Sequence, residues 1–284
     1  MLGVYVTARI CPLYADRLPT LLIVVLHVIP PALLALAHGV VLYRPKGIAI
    51  FSILCLGFGT LAETVGLRTG FPFGHYYFTD VMGPKILQLP VLLALAYLGI
   101  GYASWILALL ILRCVDRPIR GERVLTLPLL ASLIMVAWDL SMDPNWSTLT
   151  HAWIWRDGGA YFGVPLRNFF GWFLTAYLYY QSFAFYCRAN PIATPPPEQG
   201  FWRPAILVYA ICALGNLLVL WQPMAPPIVT DPSGRQWLTA NILADCVLVS
   251  LVVMVPLAAL AWVRLRDLPD TISHNVDLMI QNAD

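Results

Sequence analysis

Charge is scarce in this sequence. Lysine, arginine, aspartate and glutamate make up 11% of its 284 residues, whereas a soluble domain carries about 25%. A soluble domain of ordinary composition is thereby excluded. The net charge is only +2 and no basic cluster occurs, so an electrostatic surface for nucleic acid is excluded too. Cysteine pairs are also missing. Cys11, Cys55, Cys114, Cys187, Cys212 and Cys246 form no C-x-x-C, which argues against a disulfide framework or a thiolate metal site. They read as small buried apolar residues. The histidines His27, His38, His75, His151 and His274 lie far apart, with no H-x-x-x-H or H-x-x-H-H. That speaks against a membrane di-iron oxygenase. A Gly-rich dinucleotide fingerprint is lacking as well, and no cofactor is expected.

What the chain does have is apolar length. Hydrophobic residues make up 60% of it and its mean hydropathy is +0.74. A transmembrane helix needs about 20 apolar residues. Seven runs qualify, near 18–42, 47–66, 90–112, 124–142, 165–187, 203–221 and 239–263. The sequence therefore predicts an all-α, polytopic integral membrane helical bundle of about seven transmembrane helices. It forms one transmembrane domain over 1–284, with a polar tail at 264–284 and residence in the cell membrane. The first run is too long for a signal-peptide core and reads as a retained span. Pro30 and Pro31 predict a kink within it. Pro195, Pro196 and Pro197 mark a stiff extended linker. Loop charges give a weak orientation. Arg44, Lys46, Arg113, Arg117, Arg120, Arg123, Arg188, Arg203, Arg264 and Arg266 fall on one side, against seven Lys or Arg on the other. The positive-inside rule puts the larger group in the cytoplasm and the N-terminus outside.

Ionisable residues inside spans are functional candidates by default. Glu63 falls near the end of the second run, Asp139 and Asp143 close the fourth, and Asp245 lies in the seventh. Counting spans puts all four toward one leaflet. Asp139 and Asp143 are four apart and project from one helix face. Two carboxylates held close on an apolar face cannot both ionise cheaply, which suits one of them to donate a proton. The competing reading is that these groups cap helices, or pair with Arg68, Arg156 or Arg167 at the membrane edge. Pro144 marks a helix end beside Asp143.

Two loops on the same side are rich in glycine and aromatic residues. One runs from Gly70 to Phe78, through Phe73, His75 and Tyr76. The other runs from Trp153 through Trp155, Tyr161, Phe162 and Pro165 to Asn168 and Trp172. Rings at a membrane edge commonly anchor it in the interface. Their density here also suits a lined tunnel for a long apolar or polyene substrate, whose rings stabilise a developing carbocation.

Taken together, four features resemble the membrane carotenoid biosynthesis protein family. They are the Glu63 run, G-x-P-F-G-x-Y from Gly70, W-D-x-x-x-D-P from Trp138 to Pro144, and W-x-W…G-x-Y-F-G-V-P-x-x-N-F-x-G-W from Trp153 to Trp172. That family includes carotenoid 1,2-hydratases of the bisanhydrobacterioruberin hydratase type, and the resemblance covers roughly 51–180. It implies a long apolar carotenoid as partner, within membrane lipid. It also implies hydration of the terminal C1–C2 double bond of an acyclic end group. Asp139 or Glu63 would then be the acid, and Asp143 the water-orienting base or partner of the acid. Tyr76, Trp155 and Tyr161 would line the cation site and Asn168 would hold the water. Phe73, Trp138 and Asp245 join them as substrate-binding candidates.

Three other outcomes stay open at this level. A carotenoid end-group cyclase shares the first protonation and differs in what quenches the cation. A Mg²⁺-dependent membrane prenyltransferase could use Asp139-x-x-x-Asp143 on a diphosphate, with Asn241-x-x-x-Asp245 as a faint second motif. A seven-span transporter or receptor would need a polar path through both leaflets, whereas the carboxylates favour one.

Overall fold

The computed structural model describes residues 1–86, 88–115, 117–191, 198–222 and 226–267. The proline-rich linker and the tail from 268, with His274, lie outside the described residues. The chain folds as an all-α polytopic membrane bundle. Its helices are α1 (Leu2–Ile10), α2 (Thr20–Thr69), α3 (Val91–Ile111), α4 (Arg123–Pro144), α5 (Leu166–Ala189), α6 (Gln199–Gly215), α7 (Thr239–Val249) and α8 (Val255–Arg266). A π turn, Ser250–Met254, joins α7 to α8.

Among the described residues, five helical stretches are long and apolar enough to cross a membrane. The sequence expectation was seven, and the difference has two sources. The runs 18–42 and 47–66 form one continuous assignment, α2, broken only where Arg44 leaves helical dihedrals at φ 59° and ψ 169°. Arg44 precedes Pro45, whose ring disfavours helical backbone in the residue before it. The kink expected at Pro30 and Pro31 does not take either proline out of the helix. The run at 165–187 is a helix, α5, but it is not among the five. Tyr177, Tyr179, Tyr180, Gln181 and Tyr186 lower its hydropathy. Part of that polarity turns inward: the Tyr180 hydroxyl donates to the Gly101 carbonyl at 2.7 Å.

Lipid is as apolar as leucine, so helices in a bilayer associate through close packing and internal hydrogen bonds. Gly99 shows the first. A Cβ there would stand 2.8 Å from Pro31 Cβ and 2.9 Å from the Ala32 backbone nitrogen, so only glycine lets α3 lie this close to α2. Trp105 shows the second, its indole N–H reaching the Tyr43 hydroxyl at 2.7 Å.

The loops at one end carry short strands: β1 (Tyr76–Phe78), β2 (Lys85–Ile86), β3 (Leu89–Pro90), β4 (Trp153–Trp155), β5 (Ile228–Thr230) and β6 (Gln236–Leu238). β1 pairs antiparallel with β4, setting Tyr76 opposite Trp155 and Phe78 opposite Trp153. Side chains alternate along a strand, so these four rings share one face, and all four are buried. This pairing joins the two aromatic loops into one lid over the ends of α2 and α4.

Candidate active site

Each carboxylate arrives on a helix end. Glu63 sits in the last turns of α2, which stops when Gly70 adopts a left-handed φ of 76° and its N–H bonds the Gly66 carbonyl at 2.8 Å. Asp139 and Asp143 lie on the last turns of α4, which ends at Pro144 and runs into a π turn, Asn145–Leu149. Asn168 lies in the first turn of α5, directly after Pro165. All four side chains are buried, at 3%, 5%, 1% and 1% exposure respectively.

These groups line one small cavity together with Phe73, Tyr76, Tyr97, Trp155 and Trp172. Its room for water is about 20 Å³, enough for one molecule. The four-residue spacing of Asp139 and Asp143 does place both on the cavity face. Their partners are neutral donors rather than arginines. Asn168 Nδ2 donates to Asp139 Oδ2 at 3.0 Å and to Asp143 Oδ2 at 2.7 Å. The other Asp143 oxygen accepts the Trp153 indole N–H at 2.8 Å and, more weakly, the Trp155 indole at 3.4 Å. Glu63 accepts the Tyr97 hydroxyl at 2.7 Å and the Tyr76 hydroxyl on its second oxygen. Burial, then the charge of Glu63, pushes the Tyr76 phenol well above its ordinary range, so Tyr76 stays a donor.

One polar atom here is unsatisfied. The buried Asn168 Oδ1 has no hydrogen-bond partner. A buried acceptor without a donor costs about 1–3 kcal/mol. Such an atom beside a water-sized space is an acceptor waiting for an O–H. Around it the rings form a continuous wall. Tyr97 and Trp172 have centroids 4.3 Å apart, Phe73 and Trp172 5.1 Å, and Tyr76 and Trp155 4.9 Å.

The sequence candidates thus divide. Glu63, Phe73, Tyr76, Asp139, Asp143, Trp155 and Asn168 share the cavity. Trp138 lines a neighbouring apolar chamber instead. Tyr161 and Asp245 lie outside the cavity and bond each other, the Tyr161 hydroxyl also reaching the Leu140 carbonyl at 3.1 Å. Tyr97 was missed by sequence reasoning, as was the part played by Trp153 and Trp172. A tyrosine within an apolar run was the available signal for Tyr97, since its hydroxyl must find a partner when buried. Among the described residues, no three His, Cys, Asp or Glu side chains are placed to hold a metal ion, the three cavity carboxylates included.

The chamber beside the cavity has about 70 Å³ of room and shares Leu93, Met142 and Trp153 with it. Val24, Val28 and Ile100 continue its largely apolar wall, which Arg9, His27 and Asn216 interrupt.

Comparison with known proteins supplies the remaining findings. The model of the family described as "Carotenoid biosynthesis protein" matches residues 20–231. A bisanhydrobacterioruberin hydratase from Haloarcula japonica is 29% identical over 133 residues, 46% of this chain and 42% of that protein. The match therefore spans less than half of that relative's length. No solved structure matches the chain.

Proposed function

The chain belongs to the carotenoid biosynthesis protein family, and from that premise we propose that it adds water across the terminal C1–C2 double bond of an acyclic carotenoid, in the cell membrane. The observation that carries this reading is the convergence of Glu63, Asp139, Asp143 and Asn168 in one ring-walled, water-sized cavity. The hydratase relative supports it.

Asp139 is the proton donor. It receives one side-chain hydrogen bond, from Asn168, whereas Asp143 receives three side-chain N–H donors and Glu63 two hydroxyls. Donors stabilise the ionised form of a carboxyl group, so the proton belongs on the carboxyl with fewest of them. Its transfer to C2 leaves a tertiary cation at C1. The faces of Tyr76, Trp155 and Trp172 and the charge on Glu63 stabilise that cation. Asn168 Oδ1 orients a water, whose oxygen bonds C1. The released proton returns to the Asp139–Asp143 pair, which begins and ends the cycle with one proton. The polyene lies in the apolar chamber beyond Leu93, Met142 and Trp153.

The test is expression in a lycopene-producing bacterium, with mass analysis of the pigment made in H₂¹⁸O and in D₂O. Hydration predicts one added water, ¹⁸O from water, deuterium at C2, and turnover without O₂ or free metal ions. Incorporation of ¹⁸O from O₂ sinks the reading. Deuterium without oxygen means cyclisation, and a gain in carbon means prenyl transfer.

A further inference from the structure

We infer that water reaches the carboxylates through a polar vestibule behind Trp155, separate from the apolar chamber that takes the polyene. This rests on the hydration reading and adds the route of the second reactant. The vestibule has about 160 Å³ of room for water, more than the cavity or the chamber. Ser147, Thr148, His151, Trp155, Thr230 and Asp231 line it. They come from the π turn after α4, the segment ending in β4, and the β5–β6 hairpin. Among the described residues, Trp155 alone lines both the vestibule and the carboxylate cavity, and the vestibule shares no lining residue with the chamber. The cavity therefore lies between a largely apolar chamber, with Arg9, His27 and Asn216 in its wall, and a roomier vestibule lined by Ser147, Thr148, His151, Thr230 and Asp231.

The vestibule is built to stay wet. Burial would raise Asp231, but donors from Ser233, Trp237 and the Arg235 and Ser233 backbones hold it below its ordinary value. Asp231 is therefore an ion at neutral pH. Its wall is tight where the loops meet: a Cβ on Gly163 (φ 90°) would stand 2.9 Å from Thr148 Oγ1 and 3.3 Å from Asp231 Cβ.

Trp155 is the gate. Its indole stands 3.4 Å from Asp143 Oδ1, against 2.8 Å for Trp153. A bond that long is weak, and a water inserted between indole and carboxylate restores it at little cost. Water passing Trp155 meets Asp143 and Asn168 first. Water arriving through the chamber would have to cross Leu93, Met142 and the polyene itself. In the step fed by this route, the water oxygen bonds C1 and its proton goes to the carboxylate pair, while C2 keeps the proton already delivered.

The experiment uses the full-length Thr230→Cys protein in D₂O, modified with methanethiosulfonate reagents of increasing size and then reduced with dithiothreitol. Thr230 is exposed on β5 and lines the vestibule. Unsubstituted protein treated alike controls for the native cysteines, of which only Cys11 is not buried. The largest reagent should lower hydrated product at least about tenfold, a barrier increase of about 1.4 kcal/mol. Deuterium at C2 of recovered substrate should fall with it, because the carboxylate pair is re-deuterated by the same water. Reduction should restore hydration in the same sample, which separates blockage from misfolding. Unchanged hydration, or deuterium uptake that persists once hydration is lost, overturns the separate route. Absence of both from the unmodified protein overturns the hydration reading itself.

Discussion

Asp139→Asn isolates the proton donor with little change of shape. The new amide has the volume of the old carboxyl, and its carbonyl oxygen can still accept the 3.0 Å hydrogen bond from Asn168 Nδ2. Because Asp139 carries the proton of the pair, the amide changes no charge beside Asp143 and Glu63, so the fold should be kept. Chemistry should not be. Proton transfer from a positioned acid contributes about 10²–10⁴ in rate, and at about 1.4 kcal/mol per factor of ten this is about 3–5.5 kcal/mol of barrier. The variant should therefore accumulate in the membrane and melt within a few degrees of the parent in detergent. It should lose at least about a hundredfold in turnover of an acyclic carotenoid, measured by chromatography of extracted pigment. Asp245→Asn is the companion. Its carboxylate bonds Tyr161 outside the cavity, so its loss should cost turnover little. Near-normal turnover by the Asp139 variant, within about threefold or 0.65 kcal/mol, would remove Asp139 as the acid. An essential Asp245 beside a dispensable Asp139 would move the site to α7.

Tyr97→Phe should lower the melting midpoint in detergent, because Glu63 Oε1 loses its 2.7 Å donor, at a cost of about 1–3 kcal/mol. Combined with Glu63→Gln it should deviate from additivity by about 0.5 kcal/mol or more, and strict additivity would deny the contact. Gly99→Val should destabilise the bundle by about 1–3 kcal/mol or more, since even a Cβ there meets Pro31 and Ala32 backbone atoms at 2.9 Å. An unchanged melting curve for that variant would mean that α2 and α3 do not touch at this point.

The sequence by itself determined the class of molecule. Long apolar runs with few charges admit only a helical membrane bundle, because every backbone amide must be satisfied without water. It also singled out three carboxylates that the fold brings into one cavity. A charge within an apolar run is costly wherever the run folds, so Glu63, Asp139 and Asp143 stood out before any contact was known, and the four-residue spacing put the two aspartates on one face. Tertiary structure alone decided what surrounds them. Tyr97 reaches Glu63 across 34 residues, and Asn168 reaches Asp139 and Asp143 across 29 and 25. Such contacts depend on helix rotation and register, set by close approaches such as Gly99 on Pro31. The β1–β4 pairing likewise depends on two loops about 77 residues apart meeting over the helix ends; neither short strand is legible alone, since an isolated hairpin is barely stable. Tyr161 and Asp245 show the converse. Their residue types and leaflet matched the site, but the turn of α7 directs them to each other, because a helix face, unlike a position in sequence, is fixed only by what packs against it.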